Sequence, residues 1–188
     1  MTFNLNEIRF IPSGRPPHRD RALVSDQHRV AMLERALANN SLFKIDTREL
    51  GNPEPTYTFN TLQSLRGELG NAVSLALLIG ADQFQLFHTW RRWAEIFDLA
   101  HLIVAQRPGS TASIDALLQP VSQAIRPRIC QQAQMLSATP AGQVFTFEMT
   151  PLAISSSAIR ASLKAKVTPR YLLPDAVLDY IQDHHLYA

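Results

Sequence analysis

Five short apolar segments, near residues 7–11, 42–46, 72–79, 100–105 and 144–148, alternate with stretches of helical periodicity. This alternation constrains the chain more than any other feature. Strands separated by helices need crossover connections, so they pair in parallel and helices cover them. Residues 26–39 predict a helix whose apolar face carries Val30, Leu33 and Leu37, widened by Met32 and Ala36. Residues 57–69 predict another, with Phe59, Leu62 and Leu65 inward. Two short helical pieces, about 83–87 and 91–97, precede the fourth strand. Residues 111–136 read as an irregular helical stretch broken near Pro120 and Pro127, and helices over 155–164 and 174–184 close the chain. The run 72–79 is almost continuously apolar, which predicts cover on both faces. The expected fold is α/β, with a parallel sheet flanked by helices in one domain over 1–188.

Composition narrows the function classes. The 188 residues hold 18 Lys+Arg against 16 Asp+Glu, a balance too even to argue for nucleic acid as a partner. Cys130 is the single cysteine, so neither an internal disulfide nor a cysteine-based metal site can form. No apolar run approaches the roughly 20 residues that cross a bilayer, and the first residues lack the pattern of a secretory leader. A cytoplasmic protein without a membrane partner is expected. Of the basic residues 15 are arginine, four of them at Arg9, Arg15, Arg19 and Arg21. Arginine suits bidentate recognition of phosphate; the coding bias of a gene produces the same excess.

In parallel sheets ligands bind beyond the carboxyl ends of the strands, here after Ile11, Ile79, Ala105 and Met149. Polar signals gather at those places. In Ile154-Ser-Ser-Ser-Ala-Ile-Arg160, Ser155 is an N-cap candidate, Ser156 adds a hydroxyl in the first turn, and Arg160 can fold back on the same anion. An ordinary serine-capped helix with a solvated arginine has the same sequence. In Leu78-Ile-Gly-Ala-Asp82, Gly80 lets a ligand approach the backbone and Asp82 could accept ribose hydroxyls, or merely cap a turn. Trp90, after Thr89 and before Arg91 and Arg92, could stack a heteroaromatic ring or fill a core. Pro16-Pro-His-Arg19 is a stiff loop with two phosphate-friendly side chains, or a surface turn. No HExxH, Walker-type or G-x-S-x-G motif occurs.

The order of these motifs resembles the nicotinate mononucleotide adenylyltransferase family, a branch of the Rossmann-like nucleotidyltransferases. The matching stretches are Ile8-Arg-Phe-Ile-Pro-Ser-Gly-Arg-Pro-Pro-His-Arg19, Arg29-Val-Ala-Met-Leu33, Pro55-Thr-Tyr-Thr58 with Thr61-Leu62, Ile79-Gly-Ala-Asp82, and Thr89-Trp90. Ala100-His-Leu-Ile-Val104 with Arg107-Pro-Gly109, Ile154-Ser-Ser-Ser-Ala-Ile-Arg160, and Leu172-Leu-Pro-Asp175 with Leu186-Tyr187 follow. They span essentially the whole chain. The resemblance implies adenylyl transfer from ATP to nicotinate mononucleotide, giving deamido-NAD and pyrophosphate, with Mg²⁺ on the phosphates. It implies that Gly80, Asp82, Ser155, Ser156, Arg160, His18 and Arg19 serve ATP, with Arg160 also catalytic. Tyr57, Thr58, Trp90 and Arg107 would serve nicotinate mononucleotide. A homo-oligomer stays open.

One element of the family pattern is not in these 188 residues. The family opens with a strand and a G-G-x-F-x-P-x-H-x-G-H loop whose two histidines hold ATP phosphates. None of the six histidines here (18, 28, 88, 101, 184, 185) belongs to an H-x-G-H pair. The resemblance thus implies a missing central strand and loop of about 25–30 residues, the β-α part of a βαβ unit. Either the start belongs inside a longer gene product, the favoured reading, or the chain is a non-catalytic nucleotide-binding or scaffold paralogue; on either reading the 188 residues as given are expected to be inactive or nearly so.

Overall fold

A computed structural model describes residues 3–15, 23–106, 122–150, 152 and 154–187. Among them the order is β1 (Ile8–Phe10), α1 (Asp26–Leu37), β2 (Phe43–Ile45), α2 (Thr58–Leu69), β3 (Ala76–Gly80), α3 (Ala81–Gln85), α4 (Ile96–Leu99), β4 (His101–Gln106), α5 (Ser122–Ile125), β5 (Val144–Glu148), α6 (Ser156–Lys164) and α7 (Asp175–Asp183). All described strand pairs are parallel, as the alternation requires. The strands form two sheets, β1-β2 and β3-β4-β5. The chain divides accordingly into two compact units. The first comprises Met1–Asn4 and Tyr57–Pro151, the second Leu5–Thr56 and Leu152–Ala188. No described helix is long and apolar enough to cross a membrane.

In the first unit β4 is the middle strand, and His101, Leu102, Ile103 and Val104 are all buried. Ile103 joins Cys130, Ala133, Leu136 and Phe145 in one apolar cluster. Phe3 closes it, edge-on to Phe145 at 5.6 Å and to Phe147 at 5.7 Å. Cys130 acts here as a small apolar side chain, and burial pushes its thiol pKa up, away from reactive thiolate. The α2 helix buries Phe59, Leu62 and Leu65 together with Arg66. It stops at Gly70, whose φ of 82° suits glycine and whose N–H donates to the Arg66 carbonyl.

The expected double cover of 72–79 is not what forms. The strand starts only at Ala76, Val73 is 42% exposed and Leu78 is 59% exposed while Ile79 is buried. Successive side chains point to opposite faces, and β3 is an end strand, so a purely apolar run here does not mean two covered faces. The helical stretch near 91–97 is also interrupted. Arg92 takes a left-handed φ of 55°, and a 3₁₀ turn (Trp93–Glu95) precedes α4.

His101 is fully buried and satisfied. Its Nδ1 accepts the Gln143 N–H at 3.0 Å, which leaves the proton on Nε2, donating to the Thr139 carbonyl at 2.8 Å. Burial holds its pKa below the ordinary histidine value. The carbonyl contacts oppose this, and the nearby Arg66 charge adds to it. The unfolded chain therefore binds this proton first as pH falls. The stability is present in full above the unfolded value, near 6.5, and is lost as pH drops below that and through the lowered folded value. Urea midpoints should decline from pH 7.5 to pH 5. A His101→Gln protein, with no ring to titrate, should show a shallower decline; an identical slope in both proteins would contradict the assignment.

In the second unit β1 and β2 pair with Ile8 opposite Phe43 and Phe10 opposite Ile45. Ser25 caps α1 by accepting the His28 N–H. The α7 helix buries Val177, Leu178, Tyr180 and Ile181. The Tyr180 hydroxyl meets His28 Nδ1 at 2.9 Å, and the Arg35 guanidinium lies 4.0 Å over its ring, tying α7 to α1.

Candidate active site

In the second unit the serine-rich stretch forms a helix start as its sequence suggests. Ser155 is extended (φ −135°), and its hydroxyl accepts the Ala158 N–H at 3.1 Å. Ser156 and Ser157 are exposed in the first turn, where a helix gives its leading amides no internal acceptor. Arg160 folds back, its Nη2 donating to Ser157 Oγ at 3.4 Å. One turn thus combines the positive end of the helix dipole with a guanidinium, a combination that attracts phosphate. Tyr187 lies near this arginine. Burial pushes its phenol pKa up, against the pull of Arg160 and Arg29.

In the first unit Gly80 ends β3 opposite Ala105 and serves as the N-cap position of α3. Asp82 is therefore not the cap. It stands exposed in the first turn of α3, with its carboxylate folded over the strand end. A methyl group at Gly80 would sit 2.5 Å from Asp82 Oδ1. Trp90 follows the 3₁₀ turn Phe87–Thr89 and is half-buried, with its indole tilted 57° on Phe87 at 5.4 Å. The Thr89 hydroxyl donates to the Leu86 carbonyl of its own turn at 2.7 Å. Tyr57 holds the N-cap position of α2, its carbonyl accepting from the Asn60 N–H at 2.9 Å, and Thr58 opens the helix. Both are half-buried. His18, Arg19 and Arg107 lie outside the described residues.

Two features go beyond the expected set. Arg91 lays its guanidinium 4.7 Å over the Tyr57 ring, joining two otherwise separate candidates of the first unit. The sequence signal is the arginine directly after Trp90, whose contact with a ring 34 positions earlier no local pattern foretells. In the second unit Gly14 lies in the loop after β1, and its N–H donates to Glu49 Oε2 at 3.2 Å. A Cβ there would stand 2.1 Å from the Glu49 carbonyl. The loop is further held by the Thr56 N–H on the Arg15 carbonyl. Nothing in a glycine among prolines foretells that partner.

A cytidylyltransferase-like family matches residues 2–162. A Dechloromonas aromatica protein named "Probable nicotinate-nucleotide adenylyltransferase" is 46% identical over 183 residues, 97% of this chain and 84% of its own length. A Pseudomonas aeruginosa protein of the same name is 43% identical over 185 residues, 98% of this chain and 85% of its own. Among solved structures, a Plasmodium falciparum nicotinic acid mononucleotide adenylyltransferase complexed with NaAD matches with a TM-score of 0.67 at 19% identity. That match covers 97% of this chain and 82% of the other. It shows the fold: α/β, with parallel strands flanked by helices.

Proposed function

We infer the chemistry from one premise: the chain belongs to the nicotinate-nucleotide adenylyltransferases of the cytidylyltransferase-like family. The reaction is adenylyl transfer. A 5′-phosphate oxygen of nicotinate mononucleotide attacks the α-phosphorus of ATP in line, the bond to the bridging oxygen breaks, and pyrophosphate leaves with deamido-NAD as product. No side chain need become covalently attached, so the protein contributes positioning and charge neutralisation.

In the second unit Ser155, Ser156 and Arg160 are assigned to ATP phosphates at the α6 start, and in the first unit Gly80 and Asp82 are assigned to a nucleotide ribose. Trp90 stacks on the nicotinate ring, and Tyr57 and Thr58 contact the same mononucleotide. His18 and Arg19 are assigned to ATP and Arg107 to nicotinate mononucleotide on family likeness alone. Magnesium would offset phosphate charge. ATP oxygens and water would supply most of its ligands, as suits this ion.

The observation that carries the reading is the identity shared with the bacterial relatives across nearly the whole chain. A second reading, nucleotide binding without turnover, is favoured by the lack of an H-x-G-H pair in these 188 residues. Incubation of the purified chain with ATP and nicotinate mononucleotide, with calorimetry alongside, decides between them. Deamido-NAD and pyrophosphate in equal amounts would establish adenylyl transfer by these 188 residues. Binding of both substrates with no product would establish the second reading, and binding of neither would reject both.

A further inference from the structure

Three aromatic rings gather in the second unit, where α1 meets the end of α7. Tyr180 is buried, His28 is half-buried, and His184, the residue after α7, is exposed. The Tyr180 and His184 rings stack at 4.0 Å, and the two imidazoles stand 5.4 Å apart at 76°. None of the three belongs to the residues assigned to substrates. Both imidazoles are held through the same nitrogen. His184 Nδ1 faces the Tyr180 carbonyl at 3.1 Å; a carbonyl only accepts, so Nδ1 carries the proton and Nε2 keeps the lone pair. His28 Nδ1 meets the Tyr180 hydroxyl at 2.9 Å, and as donor there it takes the same tautomer. Among the described residues no hydrogen bond engages Nε2 of either ring.

Histidines that bind metals donate their second N–H to an oxygen in this way, which orients the ring and makes the other nitrogen more basic. Zinc lies about 2.0–2.1 Å from an imidazole nitrogen, hence roughly 3 Å from the ring centre. Two rings 5.4 Å apart are therefore spaced to share one ion at a near-tetrahedral angle. The surrounding charges nearly balance. Arg29 pairs with Asp26 at 2.9 Å, and Arg35, 4.0 Å over the Tyr180 ring, shares a cavity beside that ring with Asp26 and Glu34. His184 also follows the last turn of α7, the negative end of the helix dipole. Two imidazole nitrogens as protein ligands suit zinc or a similar transition ion, whereas magnesium takes oxygen. We propose that His28 and His184 form a two-histidine site for a zinc-class divalent ion, with water completing its coordination, and that the ion ties the end of α7 to α1. The site stands independently of the adenylyltransferase reading.

The test uses the untagged chain, stripped of metal by a chelator and free of nucleotide. Calorimetric titration with zinc chloride should give one ion per chain at micromolar affinity, well short of a four-ligand structural site. Magnesium chloride should give no binding at the same concentrations. His28→Gln and His184→Gln should each weaken zinc at least about tenfold, while His185→Gln should leave it unchanged. Zinc should raise the melting temperature of the native and His185→Gln chains and not that of the other two. Histidine ring NMR signals of the native chain give a readout that needs no variant: two of the six imidazoles should shift together as zinc is added. Absence of zinc binding by the native chain overturns the proposal, and so does undiminished binding in His28→Gln or in His184→Gln. Loss of binding in His185→Gln, or ring shifts spread over all six histidines, overturns it as well. None of these outcomes bears on adenylyl transfer.

Discussion

Arg66→Met should destabilise the first unit by about 3–5 kcal/mol, since it strips the donors from several main-chain carbonyls at roughly 1–3 kcal/mol for each one left buried and unpaired. Arg66 is 7% exposed, yet among the described residues its hydrogen bonds go to no carboxylate. Its five N–H groups all reach main-chain carbonyls. Nε and Nη2 share Leu99, Nη1 donates to Gly70 at 3.1 Å and Val73 at 2.6 Å, and Nη2 also donates to Pro140 at 3.0 Å. The donor capacity of the side chain is therefore fully used. Leu99 ends α4, and Gly70 follows α2, so the cation sits where helix dipoles are negative. Burial pulls the Arg66 pKa down from the usual guanidinium value. Methionine fills similar volume and leaves the cost to the four orphaned carbonyls. Lysine keeps the charge, but three donors on a point-like head cannot span the same acceptors, so Arg66→Lys should fall between. Urea midpoints measure the loss. A Met variant within about 1 kcal/mol of the native protein would show that water satisfies those carbonyls unaided.

Arg66 also marks the limit of what the sequence makes legible. The alternation of apolar runs and amphipathic stretches was enough to place all five strands and to make them parallel, because that pattern records burial directly. Ser155 was legible as a cap because capping is local, its acceptor and donor three residues apart. Arg66 reads only as an interruption of the Phe59, Leu62, Leu65 face, since its partners at 73, 99 and 140 are tertiary. His101 likewise stands out as a polar residue in an apolar strand, but the groups that fix its tautomer, at 139 and 143, come from the approach to β5. Leu78 failed in the other direction: hydrophobicity states a preference for burial, and whether an end strand is covered depends on neighbours. At the candidate site the residue types were legible, whereas the pairing of Arg91 with Tyr57 needed the left-handed turn at Arg92 that no propensity favours.

The second large effect is expected at Arg160. On the proposed reaction, negative charge shifts towards the leaving pyrophosphate as the α-phosphorus is transferred. A guanidinium already folded onto the first turn of α6, beside Ser157, needs little rearrangement to meet it. Preorganised donors of this kind act mainly where charge develops, and loss of one costs roughly 10²–10³ in kcat. Arg160→Ala should therefore lower kcat/KM for ATP by about that factor and leave the calorimetric affinity for nicotinate mononucleotide unchanged. Arg160→Lys should recover part of the rate, since a single ammonium replaces the charge without the fork. Arg160 is not part of a buried core, so the melting temperature should move little, which separates a lost phosphate contact from a damaged helix. If this chain binds nucleotide without turnover, the same substitution should still weaken ATP in calorimetry, because the helix start and its cation meet the phosphates in the ground state too. Unaltered ATP binding together with unaltered turnover would remove Arg160 from the site, leaving Ser155 as an ordinary cap and α6 as an ordinary solvated helix.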